Sequence, residues 1–181
     1  MQAIATLVNA TSDLTATEFW KVLTQSCDLN GIKIPQNPHF SWMVSEGFEE
    51  EAAKQAFEAI SRKTTEFTVR TNGLGIFTGE KPILYLPIVK TEQLMDLHQE
   101  IWRVLFALGV NQNTFYHPSQ WIPHVTVIGE EIPLTQFVCL VESIVNITLE
   151  MTIHVNNLAL IYSNKDDAGI KFIQELGRGD Q

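Results

Sequence analysis

The chain has 181 residues, of which 45% are hydrophobic and 18% charged, with a formal net charge of −9. This length suits one compact domain with a sizeable apolar core, and no apolar run approaches the roughly 18 residues of a membrane span. The acidic balance argues against a broad groove for long duplex nucleic acid, because neutralising many phosphates takes many Lys and Arg side chains. We therefore expect a small or short substrate and no membrane partner.

In chain order, the elements predicted for the first half of the sequence recur in the second half. Each half begins with an apolar run that predicts a strand, continues with a helix, and then reaches a strand that starts at Pro-His. A second helix and a strand pair around Asn-Gly or Asn-Asn follow, and these dipeptides indicate hairpins. The paired segments are 3–9 and 83–89, helix starts near 13–17 and 91–92, strands at Pro38-His39 and Pro123-His124, helices Glu49–Arg62 and Leu134–Val145, and turns at Asn72-Gly73 and Asn156-Asn157.

Three sequence matches in the same order and at nearly constant spacing support an internal repeat. They are Glu18–Leu23 with Glu100–Leu105, Pro38–Trp42 with Pro123–Val127, and Phe67–Leu74 with Met151–Leu158. We predict one bilobal domain over residues 1–181, with repeat halves of about 1–80 and 81–165 and an added edge strand at 170–176. The fold class is α+β: two pseudo-symmetric lobes, each a largely antiparallel sheet with helices on its outer face, and an active cleft between them.

The two Pro-His strands carry the side chains with chemistry to offer. Strand side chains alternate between faces, so His39 and Ser41 share one face, and His124 and Thr126 share one face of the other strand. Two imidazoles near neutral pH can supply one base and one acid, and hydroxyls can hold the oxygens of a phosphate. If both strands face one cleft, this set suits phosphodiester hydrolysis.

The segments His39-Phe40-Ser41-Trp42 and His124-Val125-Thr126-Val127 resemble the paired His-x-Thr/Ser-x signatures of the two-histidine (2H) phosphoesterases. That superfamily includes LigT-like 2′–5′ RNA ligases and cyclic phosphodiesterases, and its two-lobed duplication would cover nearly the whole chain. The resemblance implies that His39 and His124 are catalytic and that Ser41 and Thr126 bind phosphate. It further implies the opening of a 2′,3′-cyclic phosphate to a 2′-phosphate without a metal, and possible ligation of RNA ends through a 2′–5′ linkage.

Other histidines and aromatic residues receive separate predictions. His98 is expected at the surface or rim of its helix. The irregular stretch 111–122 precedes the second motif, and there Tyr116, His117 and Trp121 are candidate substrate contacts. A nucleobase could stack on the aromatic side chains of this stretch, although we favour packing of these loop residues against the lobe.

Cys27 and Cys139 are too few for a disulfide framework, and both lie in apolar helical surroundings. We predict that they are reduced and structural in a cytoplasmic protein.

The sequence as a whole predicts a monomeric phosphodiesterase that acts on a nucleotide or short RNA end with no metal and no cofactor. Two alternatives remain open. One is a non-catalytic protein that binds nucleotides or RNA ends. The other is a 2H esterase for another diester, such as an ADP-ribose cyclic phosphate or a 2′–5′ oligonucleotide.

Overall fold

The computed structural model describes residues 1–8, 27, 37–128, 132–165 and 167–178 of the chain. These residues form a mixed α+β structure, which confirms the predicted fold class. The strands are β1 (Gln2–Leu7), β2 (His39–Ser45), β3 (Gly47–Phe48), β4 (Phe67–Arg70), β5 (Gly75–Phe77), β6 (Ile83–Pro87), β7 (Gly109–Val110), β8 (His124–Ile128), β9 (Thr152–Val155), β10 (Asn157–Ser163) and β11 (Ala168–Glu175). The helices are α1 (Glu50–Ser61), α2 (Glu92–Leu105) and α3 (Leu134–Ile144), and short 3₁₀ turns cover Phe106–Leu108 and Thr114–Tyr116.

Seven strands form one antiparallel sheet in the order β11–β10–β1–β2–β8–β6–β5. The pairs β3–β7 and β4–β9 form two small sheets of their own. The large sheet therefore takes strands from both predicted halves, and the two strands that begin at Pro-His are neighbours at its centre. The predicted last strand lies at the edge of this sheet as β11.

Helices α1 and α3 match the predicted ranges within one residue, and α2 begins at the predicted position, Glu92. In α1 the Glu49 side chain accepts a hydrogen bond from the backbone N–H of Ala52, and in α2 the Thr91 hydroxyl accepts one from Leu94. Such caps satisfy N–H groups that have no partner inside the helix. The helix expected to start near residues 13–17 lies outside the described residues.

Helices α1 and α2 cover one face of the large sheet. Phe57 of α1 packs edge-on against Phe172 of β11, and His98 of α2 lies against Trp42 of β2. Phe40 and Trp42 are fully buried on this helix-covered face. Because neighbouring strand residues alternate, His39 and Ser41 point to the opposite face.

Both predicted hairpins are wrong. Gly73 has a φ of 76°, as expected of a turn, but β4 pairs with β9 and β5 pairs with β6. Likewise β9 and β10 flank Asn156 without pairing with each other, since β10 pairs with β1 and β11. Gly73 correctly marks a turn, whereas Asn157 is the first residue of β10. The strands on either side then find partners that are distant in sequence.

The prediction of two reduced cysteines is also wrong, because Cys27 and Cys139 form a disulfide across a sequence separation of 112. Cys139 lies in α3, and its partner precedes β2 in the chain. Composition could not reveal this pairing, since two cysteines give no framework pattern and only the fold brings them together. The cytoplasmic prediction thereby loses the support that it drew from reduced thiols.

None of the helices in the described ranges combines the length and the apolar character that a membrane crossing needs.

Candidate active site

The centre of the sheet places the four polar side chains of the two Pro-His strands on one face. Strands β2 and β8 run antiparallel with Phe40 opposite Val125, so His39 lies across from Thr126 and Ser41 lies across from His124. Residues directly opposite in such a pair have Cβ atoms about 4.5–5.5 Å apart, and diagonal neighbours such as the two histidines about 7–8 Å apart. We call His39, Ser41, His124 and Thr126 the central array.

A β-bulge follows the hydroxyl residue in each of these strands. The register between β1 and β2 passes from Ser41 to Met43, which leaves Trp42 as the extra residue. Between β6 and β8 it passes from Thr126 to Ile128, which leaves Val127 extra. Bulges bend the strand and re-aim side chains, and they are common beside active sites. The two strands thus depart from regular pairing at equivalent positions.

Both imidazoles of the central array are held in the same way. The Nδ1 of His39 lies 2.9 Å from the carbonyl oxygen of Asn37, and the Nδ1 of His124 lies 2.7 Å from that of Ile122. A carbonyl only accepts hydrogen bonds, so each Nδ1 carries the proton and donates. Neither Nε2 bonds to a described residue. When neutral, each ring therefore offers a lone pair at Nε2, and when protonated it offers an acidic N–H there.

The surroundings of the imidazoles favour their neutral forms. Burial lowers the pKa of His39, and the hydrogen bond to the Asn37 carbonyl opposes this shift. Burial also lowers the pKa of His124, the Ile122 carbonyl opposes the change, and the nearby His39 lowers it further. The mutual effect of the two rings places them within electrostatic reach of each other. Addition of one proton to the pair therefore discourages addition of a second.

Ser41 receives support from the irregular stretch before β8. The Tyr116 hydroxyl lies close enough to the Ser41 side chain for the serine to lower the tyrosine pKa, and the Ser41 carbonyl oxygen accepts a hydrogen bond from the Trp121 indole N–H at 3.1 Å. Burial raises the pKa of Tyr116, which keeps its hydroxyl protonated. Of the three candidate substrate contacts, Tyr116 is the one that reaches the central array.

The other two candidate contacts lie elsewhere. The Trp121 ring is 1% exposed and is stacked on His98 and Trp42, so it presents no free face to a nucleobase. This corrects the expectation of substrate stacking on Trp121, because the indole fills the space between β2 and α2. His117 is exposed, but its ring packs edge-on against Trp102 of α2, and its Nδ1 lies 2.8 Å from the Ser119 hydroxyl. It therefore lies with the helix α2 rather than with the central array.

His98 is a second correction. It is 0% exposed, its Nε2 lies 3.1 Å from the Trp42 carbonyl, and its ring stacks 3.8 Å from Trp121. Burial lowers its pKa to about 4, against opposing contributions from the Trp42 and Tyr116 backbones. The surface prediction failed because helical spacing alone does not distinguish a buried polar residue from a rim residue.

Sequence reasoning missed two aromatic residues beside His124. The rings of Phe77 and Tyr85 stack with centroids 4.1 Å apart, and both meet the His124 ring edge-on, at 5.0 and 5.1 Å. Tyr85 lies directly across from Thr126 in the β6–β8 pair. Only the strand pairing reveals this proximity, because Phe77 and His124 are far apart in sequence.

No group of three or more His, Cys, Asp or Glu side chains in the described part of the chain is arranged to hold a metal ion.

Comparison with known proteins identifies the family. The family model of the 2′-5′ RNA ligase superfamily matches residues 34–167, well over half of the chain. The chain belongs to the 2′-5′ RNA ligase superfamily. Members of this superfamily are 2H phosphoesterases, so the chain is a phosphoesterase-type protein, and the predicted family is confirmed. No curated protein matches the chain.

Solved structures in or near this superfamily share the fold over the whole chain. The protein TT0787 of Thermus thermophilus aligns over 100% of both chains, with 16% identity and a TM-score of 0.65. A phosphoesterase aligns over 98% of each chain, with 13% identity and a TM-score of 0.61. E. coli LigT complexed with 3′-AMP aligns over 98% of this chain and 100% of its own, with 11% identity and a TM-score of 0.58. At these identities the likeness shows the fold.

Proposed function

We propose that the chain is a metal-independent phosphodiesterase that opens a 2′,3′-cyclic phosphate of a nucleotide or short RNA end to a 2′-phosphate. His39 and His124 are the general acid and base of this reaction, and Ser41 and Thr126 bind the phosphate. The observation that carries the proposal is the central array, in which two hydroxyls and two imidazoles, whose Nε2 atoms bond to no described residue, share one face of the sheet.

The proposed reaction needs one neutral and one protonated imidazole. The neutral Nε2 takes a proton from water as the water oxygen attacks phosphorus. The protonated Nε2–H of the other ring donates its proton to the 3′-oxygen as the P–O bond breaks. The Ser41 and Thr126 hydroxyls donate hydrogen bonds to the non-bridging oxygens, where negative charge increases in the transition state. A usual catalytic zinc site has three protein ligands. The proposed acid–base scheme needs no metal ion.

We also infer that an internal duplication produced the array. Strand β1 pairs with β2 in the first half as β6 pairs with β8 in the second. The last strand of each predicted half crosses to the other: β10 lies beside β1, and β5 lies beside β6. Such an arrangement relates the two Pro-His strands by an approximate twofold axis that passes near Phe40 and Val125. The equivalent bulges at Trp42 and Val127 support the same origin.

The nature of the ligand is supported by relatives. E. coli LigT, which shares the fold, has been crystallised with 3′-AMP and with NADP⁺. A nucleotide of this size suits a chain with 21 acidic and 12 basic residues better than a long polyanion does.

The test is a panel of diesters with excess EDTA: nucleoside 2′,3′-cyclic phosphates, an ADP-ribose cyclic phosphate and a 2′–5′ dinucleotide. We expect turnover of the nucleoside cyclic phosphates, with a 2′-phosphate as product by ³¹P NMR. The variants His39→Ala and His124→Ala should each lose about 10²- to 10⁴-fold in kcat, as expected for removal of a general acid or base. The matched control is His154→Ala, since His154 is an exposed strand histidine of β9 away from the array.

Wild-type turnover in the His39→Ala protein would reject the mechanism. Tight binding of nucleotides without any product from the panel would instead support the binding-protein alternative. Preference for the ADP-ribose cyclic phosphate or the 2′–5′ dinucleotide would keep the chemistry and change the substrate.

A further inference from the structure

The two sides of the central array differ in the side chains that they offer to a substrate. On the β6–β5 side, Tyr85 and Phe77 follow His124 and Thr126 outward across the sheet, and their rings form a stacked pair. We call Phe77 and Tyr85 the aromatic platform. Both rings are partly exposed, and both lie on the same face as the imidazoles because Tyr85 is directly opposite Thr126.

The local sequence makes room for this platform. Gly75 lies directly across from Tyr85 in the β5–β6 pair, and a Cβ atom at Gly75 would overlap the Tyr85 ring. The absence of a side chain there allows the tyrosine ring to lie over β5, where Phe77 stacks on it. A larger residue at this position would displace the ring from its place beside His124.

The opposite side of the array has no comparable surface among the described residues. Leu7 lies across from His39, Ala5 lies across from Ser41, and Ala159 lies across from Ala5 in the next strand. Ala5 and Ala159 are fully buried. Among the described strands of the sheet, the aromatic side chains that flank the array therefore lie on the β6–β5 side.

We propose that the aromatic platform is the nucleobase subsite of the enzyme, with the base stacked on Phe77 while the phosphate lies between the two histidines. This inference rests on the proposed phosphodiesterase function. The platform lies one to two strand spacings from β8, about 5–10 Å, a span comparable to the ribose that separates a base from its 2′,3′-phosphate. Stacking accepts every base because every base has a π-face. The subsite therefore selects for the presence of a base and not for its identity.

The experiment compares 2′,3′-cyclic AMP with ribose 2,3-cyclic phosphate, which has the same reacting group and no base. In the Phe77→Ala protein, kcat/KM for 2′,3′-cyclic AMP should fall by about 5- to 150-fold, the range for loss of one base–aromatic stack. Most of the change should be in KM. The value for the base-free substrate should stay within about twofold, since the stack carries only the base. Phe77→Leu, which keeps an apolar side chain against His124, should show the same selective loss.

Ile76→Ala is the matched control, because Ile76 is the neighbouring residue of β5, is 42% exposed, and points to the other face. This variant should leave the ratio of kcat/KM for the two substrates unchanged. An equal loss for both substrates in Phe77→Ala and Phe77→Leu would overturn the proposal, since the ring would then only support His124. A selective loss in Phe115→Ala instead would assign the base to the 3₁₀ turn and would also overturn it.

Failure of the proposed function is distinguishable from failure of the subsite. If the wild-type protein turns over neither substrate, calorimetric binding of 2′-AMP and of ribose 2-phosphate replaces the kinetic ratio. Weaker binding of 2′-AMP alone in Phe77→Ala would then retain the subsite in a protein without this activity. Equal binding of 2′-AMP to wild-type and Phe77→Ala proteins would reject the subsite.

Discussion

The orientation of the two imidazoles is set by the residue before each histidine. Pro38 and Pro123 have no N–H and a fixed φ, and each holds the residue before it in an extended conformation. The carbonyl two residues before each histidine is thereby available to the ring, and it fixes Nδ1 as the donor. Pro-His is thus a positioning unit, because the dipeptide determines which ring nitrogen is bonded to the backbone.

The lowered pKa values of His39 and His124 predict an acidic optimum for the reaction. In the proposed mechanism the active form of the pair has one protonated ring, and both pKa values lie below the ordinary 6.5 because of burial. As pH rises through these lowered values, the proton of the general acid is lost, and as pH falls the base becomes protonated. We expect a bell-shaped profile of kcat/KM with its maximum below pH 6.5. The measurement is kcat/KM for 2′,3′-cyclic AMP between about pH 4 and about pH 8, and a maximum above pH 7 would contradict it.

His98 predicts a pH dependence of stability rather than of activity. Its pKa of about 4 in the folded protein lies below the ordinary 6.5, so the unfolded chain binds the proton more readily. Its contribution to the free energy of unfolding is complete above pH 6.5 and is lost as pH falls through the folded pKa. The loss is at most about 3 kcal/mol. Lys90 and His117 contribute to the same lowering as neighbouring positive charges.

Urea unfolding of the wild type and His98→Gln at pH 7 and near pH 4.5 tests this contribution. Gln keeps a donor for the Trp42 carbonyl and does not titrate. The free energy of unfolding should therefore differ less between pH 7 and about pH 4.5 in the variant than in the wild type. Other titrating groups affect both proteins alike and cancel in the comparison. An unchanged difference would show that His98 titrates normally.

At the scale of the elements, sequence patterns located the strands and helices but not their partners. The spacing of Leu94, Leu97 and Ile101 predicts α2, because a helix places every third or fourth residue on one face. Successive side chains of a strand point to opposite faces, so His39 and Ser41 of β2 share one face. These are local properties of the backbone. The pairing of β4 with β9 and the partner of Cys27 depend on the whole chain, and no local period encodes them.

The same distinction explains which parts of the site were predictable. The central array follows from two motifs whose strands pair, and the motifs are visible in the sequence. The aromatic platform depends on the pairing of β5 with β6 and on the small size of Gly75. Trp121 is aromatic and precedes a motif, as a stacking residue would, yet its indole fills the core. Residue type restricts what a side chain can do, and the fold determines where it does so.

The disulfide predicts an effect of redox state on stability. It joins α3 to a residue 112 positions earlier, and cross-links that close long loops restrict the unfolded chain most. Cys27→Ser/Cys139→Ser should lower the free energy of unfolding by about 2–4 kcal/mol. In urea unfolding, dithiothreitol should lower the free energy of unfolding of the wild type by a similar amount. It should not change that of the double variant. Two titratable thiols in the unreduced, unfolded wild type would show that the bond is absent in solution.

At the scale of the whole molecule, the charge balance determines how the protein meets an RNA. The chain has 12 basic and 21 acidic residues, and the proposed substrate is an anion. Proteins that bind long nucleic acid lose affinity as salt rises, because Lys and Arg displace condensed counterions. If the array holds one phosphate, as proposed, a chain with net charge −9 repels each further phosphate, and added salt screens this repulsion.

The resulting prediction concerns substrate length. The preference for a longer RNA should increase with salt, whereas in a basic RNA-binding protein it decreases. At low ionic strength, kcat/KM for a decanucleotide with a 2′,3′-cyclic phosphate end should be below that for 2′,3′-cyclic AMP. Between about 0.01 and about 0.15 M salt, where the Debye length falls from about 30 to about 8 Å, the ratio of oligonucleotide to mononucleotide should rise. The mononucleotide serves as the internal reference for salt effects on chemistry. A longer RNA that is preferred at low salt and loses its advantage as salt increases would reveal a basic path along the surface, and RNA ends within long chains would then be the natural substrate.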